Sequence, residues 1–164
     1  MSITDSTFPD KGFNMVRNPH PILLCLNQVF KESLKKAQAT TSQHQIIVRC
    51  EPLPHIKGDA GAIAQVFDAL LGIILKYPPS GSRLFLYLHC DVDQNASGSC
   101  TNELQHYVLK FHSNAGVPEN WKIINSQHLI NCRQVLSEHH GTLVINHSGG
   151  KGCLFSVSLP GKIQ

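Results

Sequence analysis

The sequence is poor in charge, in aromatic rings and in long apolar runs. Only 15% of its 164 residues are charged, and Lys+Arg exceed Asp+Glu by 14 to 11. This balance falls well short of the basic surface that binds nucleic acid by charge, so no nucleic-acid partner is expected. No apolar run approaches the roughly 18 residues of a membrane span, so no membrane partner is expected either. Residues Met1 to Gly12 contain Asp5 and Asp10 and no apolar centre, which is not the pattern of a signal peptide. None of the six cysteines forms a C-x-x-C pair, which argues against a zinc knuckle or a thioredoxin-type site. Cys25, Cys132 and Cys153 lie in apolar segments, where free cysteine acts as a small hydrophobe, and a reducing cytoplasm is the expected location. There is no G-x-S-x-G elbow. Gly149-Gly150-Lys151-Gly152 lacks P-loop spacing and joins two strand patterns, so it reads as a hairpin turn.

The 41% of hydrophobic residues is enough for the core of one ordinary domain. Residues 1–19 read as a flexible polar arm and 20–161 as a single domain. The start methionine and the polar ending Gly161 to Gln164 give the expectation of a whole chain. Ten histidines are many. His89 and Asp91 share one face of a strand, and His139-His140 end a helix. Only His89 and Asp91 could share a site, and His139-His140 are poorly placed to chelate one ion, so isolated surface histidines and no metal are expected.

Asn18-Pro19-His20-Pro21 opens a helix over Pro21–Gln38, since proline suits a first turn. Ile22, Cys25, Leu26, Val29, Phe30 and Leu34 give it an apolar face. Gln45–Cys50 is a short strand, broken by Glu51-Pro52-Leu53-Pro54. Ile63, Val66, Phe67, Leu70, Leu71 and Ile74 mark a buried helix over Asp59–Lys76. Arg83–Cys90 and Gln105–His112 alternate as strands around a loop from Asp91 to Asn102. Asn114–Asn125 is loop-like, and Ser126 caps a third helix that ends at Gly141. Strands at Thr142–Asn146 and Cys153–Leu159 follow. The order predicts an α/β (α+β) two-layer sandwich: a mixed, largely antiparallel five-stranded sheet with three helices on one face.

This order resembles the ATP-binding domain of sensor histidine kinases, the GHKL or Bergerat-fold ATPases, over roughly Pro21 to Pro160. Three local patterns carry the resemblance. Leu53-Pro54-His55-Ile56-Lys57-Gly58-Asp59, continuing through Gln65-Val66-Phe67, Leu70-Leu71 and Lys76-Tyr77, is similar to the family's approach to the N-box helix. Gly116-Val117-Pro118 is similar to the end of the first glycine box. Gly150-Lys151-Gly152-Cys153-Leu154-Phe155-Ser156-Val157-Ser158-Leu159-Pro160, preceded by the helix Leu129–Gly141, is similar to the family's closing hairpin.

The resemblance also implies which chemistry is missing. The two N-box asparagines that bind Mg²⁺ and phosphates fall on Ala69 and Ile73, which offer no oxygen ligand to a hard cation. The adenine-binding aspartate falls on His112 and the next glycine on Asn114, while Gly116 and Lys76 match the pattern. The second glycine box falls on Ser126 and His128, and the closing threonine on Leu154. The segment between Pro118 and Ser126 is too short for the usual ATP lid. His20 precedes Pro21 rather than an acidic residue and does not suit a phosphoacceptor.

No catalytic residue is therefore expected, and Mg-ATP is not an expected cofactor. The implied function is that of a degenerate histidine-kinase-type domain in bacterial, cytoplasmic two-component signalling. It would act by binding a protein such as a kinase, a response regulator or a sigma-factor regulator. The alternative is a nucleotide- or small-ligand-binding domain with weak ATPase activity, its remodelled pocket lined by Lys76, His112, Asn114 and His128. Ala69, Ile73 and Leu154 predict a collapsed groove, with Glu119–Asn125 packed over it and Trp121 as a plug.

Overall fold

Alternation of buried with exposed or half-buried residues builds the central sheet. The computed structural model describes residues 22–40, 46–79, 83–92, 105–147 and 152–161. The expected N-terminal arm, most of the 91–102 loop and most of the glycine-rich turn lie outside these residues. The elements run β1 (Ile22–Cys25), α1 (Leu26–Thr40), β2 (Ile46–Cys50), β3 (His55–Gly58), α2 (Ala60–Lys76), β4 (Leu84–Val92) and β5 (Gln105–Ser113). They continue with α3 (Trp121–Ile124), α4 (Ser126–Glu138), β6 (Thr142–His147) and β7 (Cys153–Gly161). The main sheet has the order β2-β4-β5-β7-β6. Among the described residues, β2 and β4 pair in parallel and the other neighbouring pairs of this sheet are antiparallel. The mixed, largely antiparallel five-stranded sheet read from the sequence is the one observed.

Leu84, Leu86 and Leu88 on β4, Leu109 and Phe111 on β5, and Phe155 and Val157 on β7 are buried under the helices. The alternating residues of β4 and β5, Phe85, Tyr87, His89 and His112 among them, lie on the opposite face and are exposed or half-buried. Helix α2 carries the broadest buried stripe, Ile63, Val66, Phe67, Leu70, Leu71, Ile73, Ile74 and Leu75. Its ring Phe67 meets Phe30 of α1 and Phe111 of β5 edge to face, with centroids 6.2 and 5.6 Å apart.

Four local expectations need correction. Ile22–Cys25 is a strand, not the first turn of a helix, and it pairs antiparallel with β3. Leu24 is buried while Leu23 and Cys25 are exposed, an alternation of period two that pairing selects over the helical stripe. The helical face begins at Leu26 and Phe30 instead. His55–Gly58 resumes as a strand after the Pro52 and Pro54 break because β1 supplies its partner. Asp91 and Val92 extend β4 rather than opening a loop, and Trp121–Ile124 forms a helical turn inside the segment read as loop.

Helix α4 ends in a Schellman motif. His140 N donates to Ser137 O at 3.1 Å and Gly141 N to Leu136 O at 2.7 Å. The left-handed residue is His140, with φ of 61°, not Gly141. Gly141 is small for another reason: a Cβ there would overlap the Ser158 carbonyl oxygen of β7. Left-handed backbone costs an ordinary residue about 1–2 kcal/mol, part of which glycine returns through its freer unfolded chain. His140→Gly is therefore expected to raise stability by up to about 1 kcal/mol in urea melts, whereas Gly141→Ala should lower it.

The start of α2 is clasped to the end of α4. Asp59 caps α2, its Oδ1 accepting from Gly61 N at 2.9 Å and Ala62 N at 3.3 Å. Asp59 N donates to His139 Nε2 at 3.1 Å, while His139 Nδ1 lies 2.9 Å from Val135 O and donates to it. His139 is thus a bridge between two helices rather than the isolated surface histidine expected. A Cβ on Gly58 would lie 2.6 Å from His139 Nε2. Gly58→Ala should cost about 1–3 kcal/mol by overpacking. In a double-mutant cycle His139→Ala should remove most of that penalty, because the ring that is struck is gone.

Candidate functional site

The α2 and α4 helices, held together at the His139 clasp, leave a groove of about 420 Å³ between them. From α2 it is lined by Gln65, Val66, Asp68 and Ala69, and from α4 by His128, Asn131, Cys132 and Val135. Both sets follow the three- and four-residue steps of one helix face. Its polar groups are partly engaged already. Asp68 accepts from Lys36 Nζ at 3.0 Å, and Asn131 Oδ1 from Gln127 Nε2 at 3.0 Å. Burial pushes the Cys132 thiol up to about 11, so it stays protonated at neutral pH and is a poor nucleophile. Among the described residues no group of three His, Cys, Asp or Glu side chains is placed to hold a metal ion.

The structure separates the residues singled out from the sequence. Ala69 and His128 meet in this groove, with Ser126 exposed at the start of α4. Ile73 has only 2% of its surface exposed and belongs to the core. Lys76 lies in a second groove, between α1 and α2, with Ser33, Lys36, Ala37, Gly72 and Leu75. Asn114 is occupied by the β4 backbone: its Oδ1 accepts from Phe85 N at 2.8 Å and its Nδ2 donates to Arg83 O at 2.9 Å. Gly116 N donates to Tyr77 O at 2.8 Å, closing the end of α2.

His112 and Leu154 need correction. They pair across β5 and β7 on the face away from the helices, while their neighbours Phe111 and Phe155 point inward. Strand alternation makes one residue of register a change of face, so neither can line the α2–α4 groove. A pocket shared by Lys76, His112, Asn114 and His128 is not formed. Burial, then the charges of His89 and Lys110, hold the His112 imidazole below its usual range.

The groove is also open where collapse was expected. Trp121 is fully buried, but in the core against Phe155, with ring centroids 5.7 Å apart, rather than over the groove. Asn125 closes the same turn, donating through Nδ2 to Trp121 O at 2.8 Å. Sequence reasoning missed Gln65, Asp68, Asn131 and Val135 as lining residues. Their spacing from Ala69 and His128, one or two helical turns, was the available signal.

The architecture matches solved histidine kinases over most of its length. A mycobacterial sensor histidine kinase, MprB, is 16% identical with a TM-score of 0.65, covering 88% of this chain and 99% of the other. The catalytic domain of histidine kinase ThkA is 15% identical with a TM-score of 0.62, covering 90% and 97%. The Acinetobacter baumannii histidine kinase AdeS is 16% identical with a TM-score of 0.63, covering 88% and 68%. The chain has the Bergerat fold of histidine-kinase ATPase domains. No protein-family model and no curated protein sequence matches it.

Trp121 is the only tryptophan, which makes it a clean reporter of this region. Its emission is expected to be blue-shifted and protected from acrylamide in the native protein. Red-shifted, quencher-accessible emission before unfolding would contradict its place against Phe155.

Proposed function

We propose that this chain is a histidine-kinase-type domain that acts in bacterial signalling by binding a protein partner, without kinase or ATPase activity of its own. The observation that carries the reading is the pair Ala69 and Ile73, four residues apart on α2. The resemblance to sensor histidine kinases puts two metal-binding asparagines there, and Ile73 is instead packed in the core. His112 faces away from the groove, which further separates the residues that nucleotide binding would need together. The partner would be a kinase, a response regulator or a sigma-factor regulator, met in the cytoplasm. Among the described residues no helix is long and apolar enough to cross a membrane. Ile123, Ile124 and Ile130, at 79%, 53% and 56% exposed, offer apolar area on α3 and α4 for such contact.

A second reading is supported by the groove itself. Its open volume and the polar side chains of His128, Gln65 and Asn131 suit a small ligand better than a filled groove would. Thermal melts with ATP, ADP, GTP and cyclic dinucleotides, with and without Mg²⁺, separate the two. A ligand at a hundred times its Kd stabilises by about 2.7 kcal/mol. No shift is expected with any of them; a saturable shift would favour the ligand-binding reading. Ala69→Asn with Ile73→Asn is expected to lower stability by about 2–5 kcal/mol, since a core methyl-bearing side chain gives way to an amide, and to restore no Mg-ATP binding. Micromolar Mg-ATP binding by that variant would overturn the reading.

A further inference from the structure

The sheet face opposite the helices carries a cluster that the groove does not use. His89 of β4 and His112 of β5 are diagonal neighbours, since Tyr87 pairs with His112 and His89 with Lys110. Their Nε2 atoms are 2.9 Å apart. The ring planes differ by 13° and the centroids are 4.9 Å apart, so the nitrogens are closer than the ring centres and occupy facing edges. His89 Nδ1 lies 3.8 Å from Asp91 Oδ1, and the other carboxylate oxygen is 3.0 Å from Lys110 Nζ. Tyr87 lies beside both imidazoles, its ring centroid 4.9 Å from that of His89 and 5.9 Å from that of His112. Its hydroxyl donates to Glu51 and is engaged there.

We propose that His89 and His112 form a two-nitrogen chelate for a tetragonal divalent transition-metal ion, Cu²⁺ foremost, with water completing the coordination. Metal–imidazole bonds of about 2.0–2.1 Å place ligands at right angles about 2.9 Å apart, against about 3.3–3.4 Å for tetrahedral ones. The observed separation fits the first geometry. Among divalent first-row ions, Cu²⁺ binds such nitrogen sites most strongly and takes tetragonal geometry, with Ni²⁺ next. Binding needs both Nε2 lone pairs, and therefore both ring protons on Nδ1. Asp91 is placed beside His89 Nδ1, where it favours that tautomer, and acts as a positioning residue. The site lies on the face opposite the α2–α4 groove and does not depend on how that groove is used.

The test is a Cu²⁺ titration of the full chain in glycine-buffered solution at pH 7.5, followed by calorimetry and electron paramagnetic resonance. One equivalent is expected to bind above the background of the other histidines, with hyperfine coupling to two equatorial nitrogens. His89→Gln and His112→Gln should each lose the two-nitrogen signature and weaken this equivalent at least tenfold. His128→Gln, on the helical side, should leave it unchanged. Asp91→Asn should keep both nitrogens in the spectrum while weakening affinity severalfold. If a histidine variant fails to fold, Cu²⁺ broadening of backbone NMR signals in the unaltered protein locates the ion. Early loss around His89, Lys110 and His112 supports the site; early loss elsewhere overturns it. Unchanged binding in both folded histidine variants, or no binding above background, would also overturn it and leave the close nitrogens as a pair sharing a proton.

Discussion

Three phenyl rings hold the two layers in register. Phe67 of α2, Phe30 of α1 and Phe111 of β5 meet edge to face, with centroids between 5.6 and 6.3 Å apart. Such contacts favour particular ring orientations in addition to burying apolar area. They fix the rotation of α2 about its axis, and that rotation decides which residues reach the core and which reach the groove. Ile73 lies on the core side, Ala69 reaches the groove, and Lys76 falls on the α1 side. The His139 clasp then fixes the spacing of α2 and α4 at one end, so the groove is held by hydrogen bonds and packing together.

The sheet divides the chemistry of the molecule. Its helical face is filled by Leu84, Leu86, Leu88, Leu109, Phe111, Phe155 and Val157, which leaves little tolerance for polar substitution. Its outer face combines exposed Phe85 and Val144 with Tyr87, His89, Lys110 and His112, where polar side chains find one another across strands. Lys110 holds the Asp91 carboxyl below its usual range through a direct hydrogen bond. The bond from Tyr87 to Glu51 likewise raises the tyrosine hydroxyl. The distribution follows from period-two geometry: a strand with one buried face must present its alternate residues together on the other.

Asn114 and Gly116 show how local backbone needs claim residues that a motif marks as functional. Asn114 satisfies both a donor and an acceptor at the edge of β4, and Gly116 closes the carbonyl at the end of α2. These hydrogen bonds give Asn114 and Gly116 a local structural use in the backbone that is separate from any ligand. A sequence pattern alone does not distinguish the two uses.

The sequence by itself determined the sheet and the helices that carry long periodic patterns. The buried stripe of α2, the alternation of β4, β5 and β7, and the face of α4 each repeat over several turns or pairs, which makes the period unmistakable. The resemblance to sensor histidine kinases, not helix spacing, marked Ala69 and His128 as pocket positions, and the two do line one groove. Tertiary structure alone decided the rest. Ile22–Cys25 became a strand because β3 was there to pair with it, and four apolar residues fit either period. His112 and Leu154 turned outward because strand register, set by distant pairing, assigns the face. The meeting of His89 with His112, 23 residues apart, exists only through the antiparallel pairing of β4 with β5, which no local spacing can display.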